Sequence, residues 1–166
     1  MSQLAIDVDF RMAMRRFAAS VSILTLSEGD RPFGMVATAV CSLSFEPPSV
    51  LACINRSAYL HPMFLQAKHF GINVLAVDQE DVVHSFFGQE DRTTRFRTLD
   101  WHLGKEGVPI IKGCQSSMVC SINDRIEHTS HTIIIGQVAN VAVRNEVQPL
   151  IYVDGQLSQH APRAGK

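Results

Sequence analysis

Four short stretches of the chain hold residue types from which a ligand site can be built. The first is Gly34-Met35-Val36-Ala37-Thr38-Ala39-Val40-Cys41-Ser42. Ala37, Thr38 and Ala39 are small residues inside a strand-like pattern, and small side chains let a flat ligand approach the backbone closely. Backbone N–H and C=O groups then meet the polar edge of a heteroaromatic ring, with the Thr38 hydroxyl beside them. The bland alternative is that these residues only pack under a neighbouring helix. The second stretch is Cys53-Ile54-Asn55-Arg56-Ser57-Ala58, where a strand gives way to a helix. N–H groups at a helix N-terminus, with the helix dipole, favour an anion such as a phosphate. Arg56 and Ser57 add a charge and a hydroxyl, although a plain Ser N-cap beside a solvated arginine is the simpler reading.

The third stretch is His128-Thr129-Ser130-His131, just ahead of a strand. Two histidines three apart suggest a metal, but no spacing supplies a third ligand, so no metal site is expected. One histidine beside a ligand pocket, donating a hydrogen bond, fits better, and a structural turn histidine fits too. The fourth runs from Arg92 to Trp101 and reads as a mobile loop holding Arg95 and Phe96. Phenylalanine beside arginine can cover a ring and pair a phosphate. The alternative is a solvated loop with Phe96 anchored in the core.

These stretches need a frame. Phe10, Met14 and Phe17 form one apolar stripe at helical spacing, with Asp7 or Asp9 as the cap. Val21 to Leu26 reads as a strand ended by Glu28-Gly29-Asp30, and Phe33 to Phe45 as one long β segment ended by Pro47-Pro48. Ser49 to Ile54 reads as a buried strand, and a helix is expected from about Ala58 to Lys68, with Pro62 near its start. Phe70 to Val77 follows as a buried strand. Asp78 to Asp81 place acids in the first turn of a helix that runs to Phe87 and stops at Gly88. Three more strands are expected over Gln115 to Arg125, His131 to Arg144 and Leu150 to Val153. Strands outnumber helices, so a mainly β, mostly antiparallel barrel with peripheral helices fits better than a doubly wound sheet. No GxGxxG, GxxxxGK[ST] or GxSxG is present, so a nucleotide is not expected in a Rossmann crevice.

Bulk properties narrow the classes. Lys and Arg number 15 against 16 acids, giving no basic excess to suggest nucleic acid or a membrane surface. No apolar run reaches the roughly 20 residues of a spanning helix. Met1 to Arg16 carries Asp7, Asp9 and arginines, unlike the apolar region of a signal peptide, so a cytoplasmic protein is expected. Cys41, Cys53, Cys114 and Cys120 form no CxxC pair and are expected to be reduced thiols in or near the core.

Taken together and in this order, the stretches resemble the short-chain flavin reductase family, whose fold is the FMN-binding split β-barrel. The matching segments are Phe10-Arg11-Met12-Ala13-Met14 with Arg16-Phe17-Ala18, and Gly34 to Ser44 followed by Glu46-Pro47-Pro48. Val50 to Ser57, Gly71 to Leu75, Phe87-Gly88, Arg95-Phe96 with Trp101, and His131 ahead of Gly136 continue the match. Within the family the chain looks most like reductase components of two-component monooxygenases. The resemblance implies one flavin reductase-like domain over 1–166, its core at about 8–155, and a homodimer with flavin near the subunit interface. It implies FMN or FAD as cofactor and NADH or NADPH as co-substrate, with a separate oxygenase receiving reduced flavin.

The resemblance also assigns residues. The isoalloxazine lies against Met35, Val36, Ala37, Thr38 and Ala39 and the backbone of Cys53, Ile54 and Asn55. A phosphate lies near Ser57 and Ala58, with Phe87 and Arg95 also at the flavin. His131 sits beside the nicotinamide and flavin rings as the catalytic residue. Here the family's Gly-Asp-His triplet reads Thr129-Ser130-His131. Its C-terminal tyrosine-and-histidine pattern is altered too: Tyr152-Val153-Asp154-Gly155 is followed by Gln156-Leu157-Ser158. Because both departures touch the nicotinamide side, a flavin-binding electron carrier without nicotinamide activity is the alternative. A barrel with no flavin is a third reading.

Overall fold

The structure is a computed structural model, and it describes residues 3–87 and 94–161. In chain order the strands are β1 (Ala19–Ser20), β2 (Ser22–Glu28), β3 (Arg31–Ala37), β4 (Val40–Phe45), β5 (Pro48–Asn55) and β6 (His69–Val74). They continue as β7 (Trp101–Leu103), β8 (Pro109–Ile111), β9 (Ser116–His128), β10 (His131–Val143), β11 (Leu150–Val153) and β12 (Gln156–Gln159). The helices are α1 (Gln3–Met14), α2 (His61–Gln66) and α3 (Glu80–Phe87). Seven strands form one antiparallel sheet in the order β3-β2-β6-β9-β10-β5-β4. A β1-β11-β12 sheet and the β7-β8 pair sit outside it.

The strand order forces the shape. β3 and β4 are the two edges of the seven-stranded sheet, yet only Thr38 and Ala39 separate them in the chain. A flat sheet of that width would set its edges roughly 29 Å apart. Three Cα steps span about 11 Å at most. The sheet must therefore curl until its edges nearly meet, leaving a split where Thr38 and Ala39 cross. The long β segment expected over Phe33 to Phe45 is thus two strands, since the chain changes partner at these small residues.

Two large clusters and a small one of Val108, Ile110 and Val119 hold the barrel. Inside lie Leu24, Leu26, Phe33, Phe64, Phe70, Ile72 and Ile134 among others. A second cluster, including Ile23, Val83, Phe86, Phe96, Ile111 and Leu150, packs outside it. β2 serves both, because alternate strand residues face opposite sides. Leu24 and Leu26 point inward and Ile23 outward, so nearly the whole strand is buried. Buried Asn73 stitches three strands: its Nδ2 donates to the Ile23 carbonyl at 3.1 Å, and its Oδ1 accepts from the Ile111 amide at 2.9 Å.

Several expectations change. α1 begins before Asp7, so neither aspartate caps it, and none of its side chains is buried. Phe10, Met14 and Phe17 stay exposed because no described segment of the chain covers that stripe. β5 alternates between buried and half-buried residues, with exposed ends, rather than being buried throughout. α2 starts at His61, later than expected, because the Asn55 side chain folds residues 55–57 into a turn: its Oδ1 accepts from the Ser57 amide at 2.9 Å and the Ser57 hydroxyl at 2.8 Å. Arg125 then fixes the far end of α2, donating to the Phe64 and Ala67 carbonyls. α3 follows a short 3-10 turn over Val77–Gln79 and carries Glu80 and Asp81 in its first turn. The stop at Gly88 and the expected loop before Thr94 lie outside the described residues. β1, β7, β8 and β12 have no counterpart in the sequence reading. No described helix is long and apolar enough to cross a membrane.

Candidate active site

At the split, a cavity of about 500 Å³ opens between three elements. Val36, Ala37 and Thr38 line it from the end of β3 and the crossover. Val83, His84 and Phe87 line it from α3, and Tyr152, Gly155 and Leu157 from the β11–β12 hairpin. Four of the residues expected at the flavin (Val36, Ala37, Thr38 and Phe87) therefore meet on one cavity. Its volume and mostly apolar walls, with few polar groups, suit a ring-bearing ligand. α3 reaches the cavity because Gly34 has no side chain: a Cβ there would lie 2.7 Å from Phe86 Cε1. Phe87 itself is 69% exposed, so its ring is open to a ligand.

The second expected stretch lies next to the crossover rather than in the cavity wall. The Cys53 amide donates to the Ala39 carbonyl at 2.9 Å, placing β5 directly beside Thr38-Ala39. Ile54 sends its side chain into the inner core, so only its backbone can serve a ligand. Cys53 and Asn55 fall on the opposite face. The Cys53 thiol is pushed up by partial burial and then by its neighbour Cys41. Met35 is half-buried against the inner core and Ala58 likewise.

Ser57 does not lie at a helix N-terminus. α2 begins at His61, and the amides nearest Ser57 are already used. Arg56 N–H donates to the Ser130 carbonyl, Ser57 N–H to Asn55 Oδ1, and Ala58 N–H to the Asn55 carbonyl. Arg56 pairs with Glu127 at 3.4 Å. What remains for an anion is side-chain chemistry, not a helix terminus.

His131 opens β10 directly opposite Asn55 of β5. It is exposed and shares a face with Asn55 and Cys53, because Ile133 pairs with Cys53 two residues on. Its Nδ1 lies 2.9 Å from the Ser130 hydroxyl. The preceding turn is strained: Thr129 has φ +44°, a left-handed conformation that suits glycine and penalises a β-branched residue. His128 sits opposite His131 in the same hairpin, and no described group of ligating side chains could hold a metal.

Phe96 is anchored in the core, edge-on to both Phe86 and Trp101. Trp101 Nε1 donates to the Phe96 carbonyl at 2.9 Å. This holds Arg95 with its guanidinium 5.6 Å from the Phe86 ring centre, and Arg95 does not line the cavity. Sequence reasoning missed Val21, Val83, His84 and Leu157 as cavity residues. His84 could have been found three residues before Phe87, on the same helical face. The cysteines are all free: Cys114 and Cys120 are buried, Cys53 is partly buried and Cys41 is exposed.

The flavin reductase like domain matches residues 14–161. A reductase component of FADH2-dependent resorcinol hydroxylase from a Rhizobium species is 36% identical, covering 93% of this chain and 87% of that protein. An FMN reductase (NADH) from Stutzerimonas stutzeri, RutF, is also 36% identical, covering 87% and 83%. Among solved structures, a Streptomyces globisporus NADH:FAD oxidoreductase, SgcE6, in complex with NAD and FAD fragments, superposes with a TM-score of 0.89. It is 28% identical and covers 99% of both chains. With a curled, split antiparallel sheet and a match over nearly its whole length, this chain belongs to the flavin reductase like domain family.

Proposed function

We propose that this chain is an NADH-dependent flavin reductase that passes hydride to FMN or FAD and supplies reduced flavin to a separate oxygenase. The observation that carries the reading is the cavity at the split, where Val36, Ala37, Thr38 and Phe87 converge. Relatives named as NADH-dependent reductases and as a two-component reductase support it, and they do not favour a carrier without nicotinamide activity.

Bound flavin supplies the hydride-accepting ring and NADH the hydride, so the residues here hold and align rather than exchange protons. Val36, Ala37, Thr38 and Ala39 form a low wall that a flat ring can approach, with Met35 behind it. The backbone of Cys53, Ile54 and Asn55 continues that wall across the split. Ser57, at the turn before Ala58, would turn its hydroxyl from Asn55 Oδ1 to a phosphate. Phe87 closes the other side, and Arg95 brings positive charge to it. His131, on the same face as Asn55, orients the nicotinamide. The whole chain acts as one domain of this kind, in the cytoplasm.

The proposed assembly is a homodimer. Phe10, Phe17, Phe45 and Val143 are 63–84% exposed, large apolar side chains that a second copy would cover. Sedimentation as a monomer would count against it. The reductase reading itself is tested by mixing the protein with NADH and FMN. Flavin-dependent loss of nicotinamide absorbance is expected, and flavin binding without that loss would point to a carrier.

A further inference from the structure

We infer that Arg15 is a positioning residue for this reaction: it clasps the tip of the β11–β12 hairpin and so sets one wall of the cavity. The inference rests on reading that cavity as the reaction site. Two of the cavity's walls are tied to the large sheet. β3 is laddered to β2, and α3 is seated on β3 at Gly34. The third wall, with Tyr152, Gly155 and Leu157, belongs to a hairpin outside that sheet.

The hairpin is held at its base. The Val21 amide donates to the Leu150 carbonyl at 3.0 Å, and the Leu150 amide to the Leu75 carbonyl at 2.9 Å. Beyond that it pairs with the two residues of β1, Ala19 against Tyr152 and Ser20 against Ile151. Its tip, Asp154-Gly155, meets Arg15. The Asp154 amide donates to the Arg15 carbonyl at 2.8 Å. Arg15 Nη2 donates to the Asp154 carbonyl at 2.7 Å, and Nε to Asp154 Oδ1 at 3.0 Å. Arg16 Nη1 adds charge 3.9 Å from Asp154 Oδ2.

The turn is shaped for this clasp. Asp154 and Gly155 have φ of +52° and +82°. A Cβ on Gly155 would lie 2.9 Å from Arg15 Nη2, so a side chain there would push the guanidinium off the tip, on top of the strain of a positive φ. An exposed ion pair by itself contributes little to stability. Here, though, one guanidinium bridges a carbonyl and a carboxylate of the same residue, which fixes orientation as well as distance. Loss of the clasp leaves the fold standing and lets the hairpin wall move.

The test is steady-state kinetics of NADH oxidation, varying FMN and NADH in turn, with thermal melts alongside. Arg15→Ala should raise KM for one of the two substrates about tenfold, the loss of one charge-assisted hydrogen bond. Its kcat should stay within about twofold of wild type, because the reacting groups are untouched. Arg15→Lys should recover only part of the change, since an ammonium cannot make the two-pronged contact. Should Arg15→Ala fail to fold, Arg15→Lys carries the same readout, with a rise of about threefold expected for half the lost contact. A lower melting temperature with both KM values unmoved would reduce Arg15 to a structural role and overturn the inference. Wild-type protein that never oxidises NADH with flavin would overturn the functional reading first, and this inference with it.

Discussion

Replacing Gly34 with alanine puts a methyl group where α3 rests on β3, and the structure sets the size of the effect. The new Cβ would lie 2.7 Å from Phe86 Cε1, 3.1 Å from Phe86 Cζ and 3.1 Å from Ile23 Cγ2. Phe86 has little freedom to yield. It is buried, its ring meets Phe96 edge-on at 5.7 Å, and the Arg95 guanidinium lies 5.6 Å from its centre. Overpacking of this kind costs about 1–3 kcal/mol. Removing a strand glycine returns about 0.5–1 kcal/mol through backbone entropy. The net loss, up to about 2.5 kcal/mol and centred on about 1 kcal/mol, lowers the melting temperature by up to about 10 °C for a chain of this length. α3 is displaced in the process and carries His84 and Phe87 with it, so flavin binding weakens about 3- to 10-fold. Thermal melts and quenching of FMN fluorescence measure the two effects. Adding Phe86→Leu to Gly34→Ala should recover part of both, giving a measurable coupling between the sites. A Gly34→Ala protein as stable as wild type, with unchanged flavin affinity, would refute the claim that Gly34 seats α3.

Asn73→Ala should cost about 2–4 kcal/mol in denaturant melts, because it strands the buried Ile111 amide as well as losing the Ile23 contact; a loss under 1 kcal/mol, on that same scale, would argue against the stitch. Cys114 and Cys120 are pushed up to about 12 by burial, from an ordinary 9.0. Below pH 9 both thiols are protonated whether folded or unfolded, so their contribution is fully present; it is lost as pH rises towards 12, at about 1.4 kcal/mol per pH unit for each thiol. Cys120→Ala should flatten the alkaline fall in stability, and an unaltered slope would count against this cause. His131→Ala should slow NADH oxidation more than about tenfold while flavin affinity stays within about threefold, as expected of a group aligning one substrate; equal turnover would remove His131 from the mechanism.

Much of the frame was legible because periodicity and breakers act locally. The turn at Gly29, the strand through Phe70 and the helix ending at Phe87 all follow from apolar spacing and turn chemistry. The crossover was not legible. Nothing local in Gly34 to Ser42 says that the chain leaves one sheet edge at Thr38 and joins the other, because that depends on pairing across the whole sheet. The start of α2 was misread for a related reason. Asn55 competes for the Ser57 amide with its own side chain, delaying the helix to His61. In the site, the small residues and Phe87 were visible as types. Leu157, Val21 and the Arg15 clasp were not, since they reach the cavity only through long-range contacts. The exposed stripe of α1 carried an ordinary helical signal, and sequence alone could not say that no described segment would cover it.

On the proposed function, the cavity at the split joins flavin and NADH in one reaction. The most direct measurement is NADH oxidation by the purified protein with and without added FMN or FAD, followed anaerobically so that reduced flavin accumulates. NADH loss and flavin bleaching should proceed together, and Thr38→Trp, which fills the crossover, should abolish both. Flavin that binds but stays oxidised in the presence of NADH would contradict it.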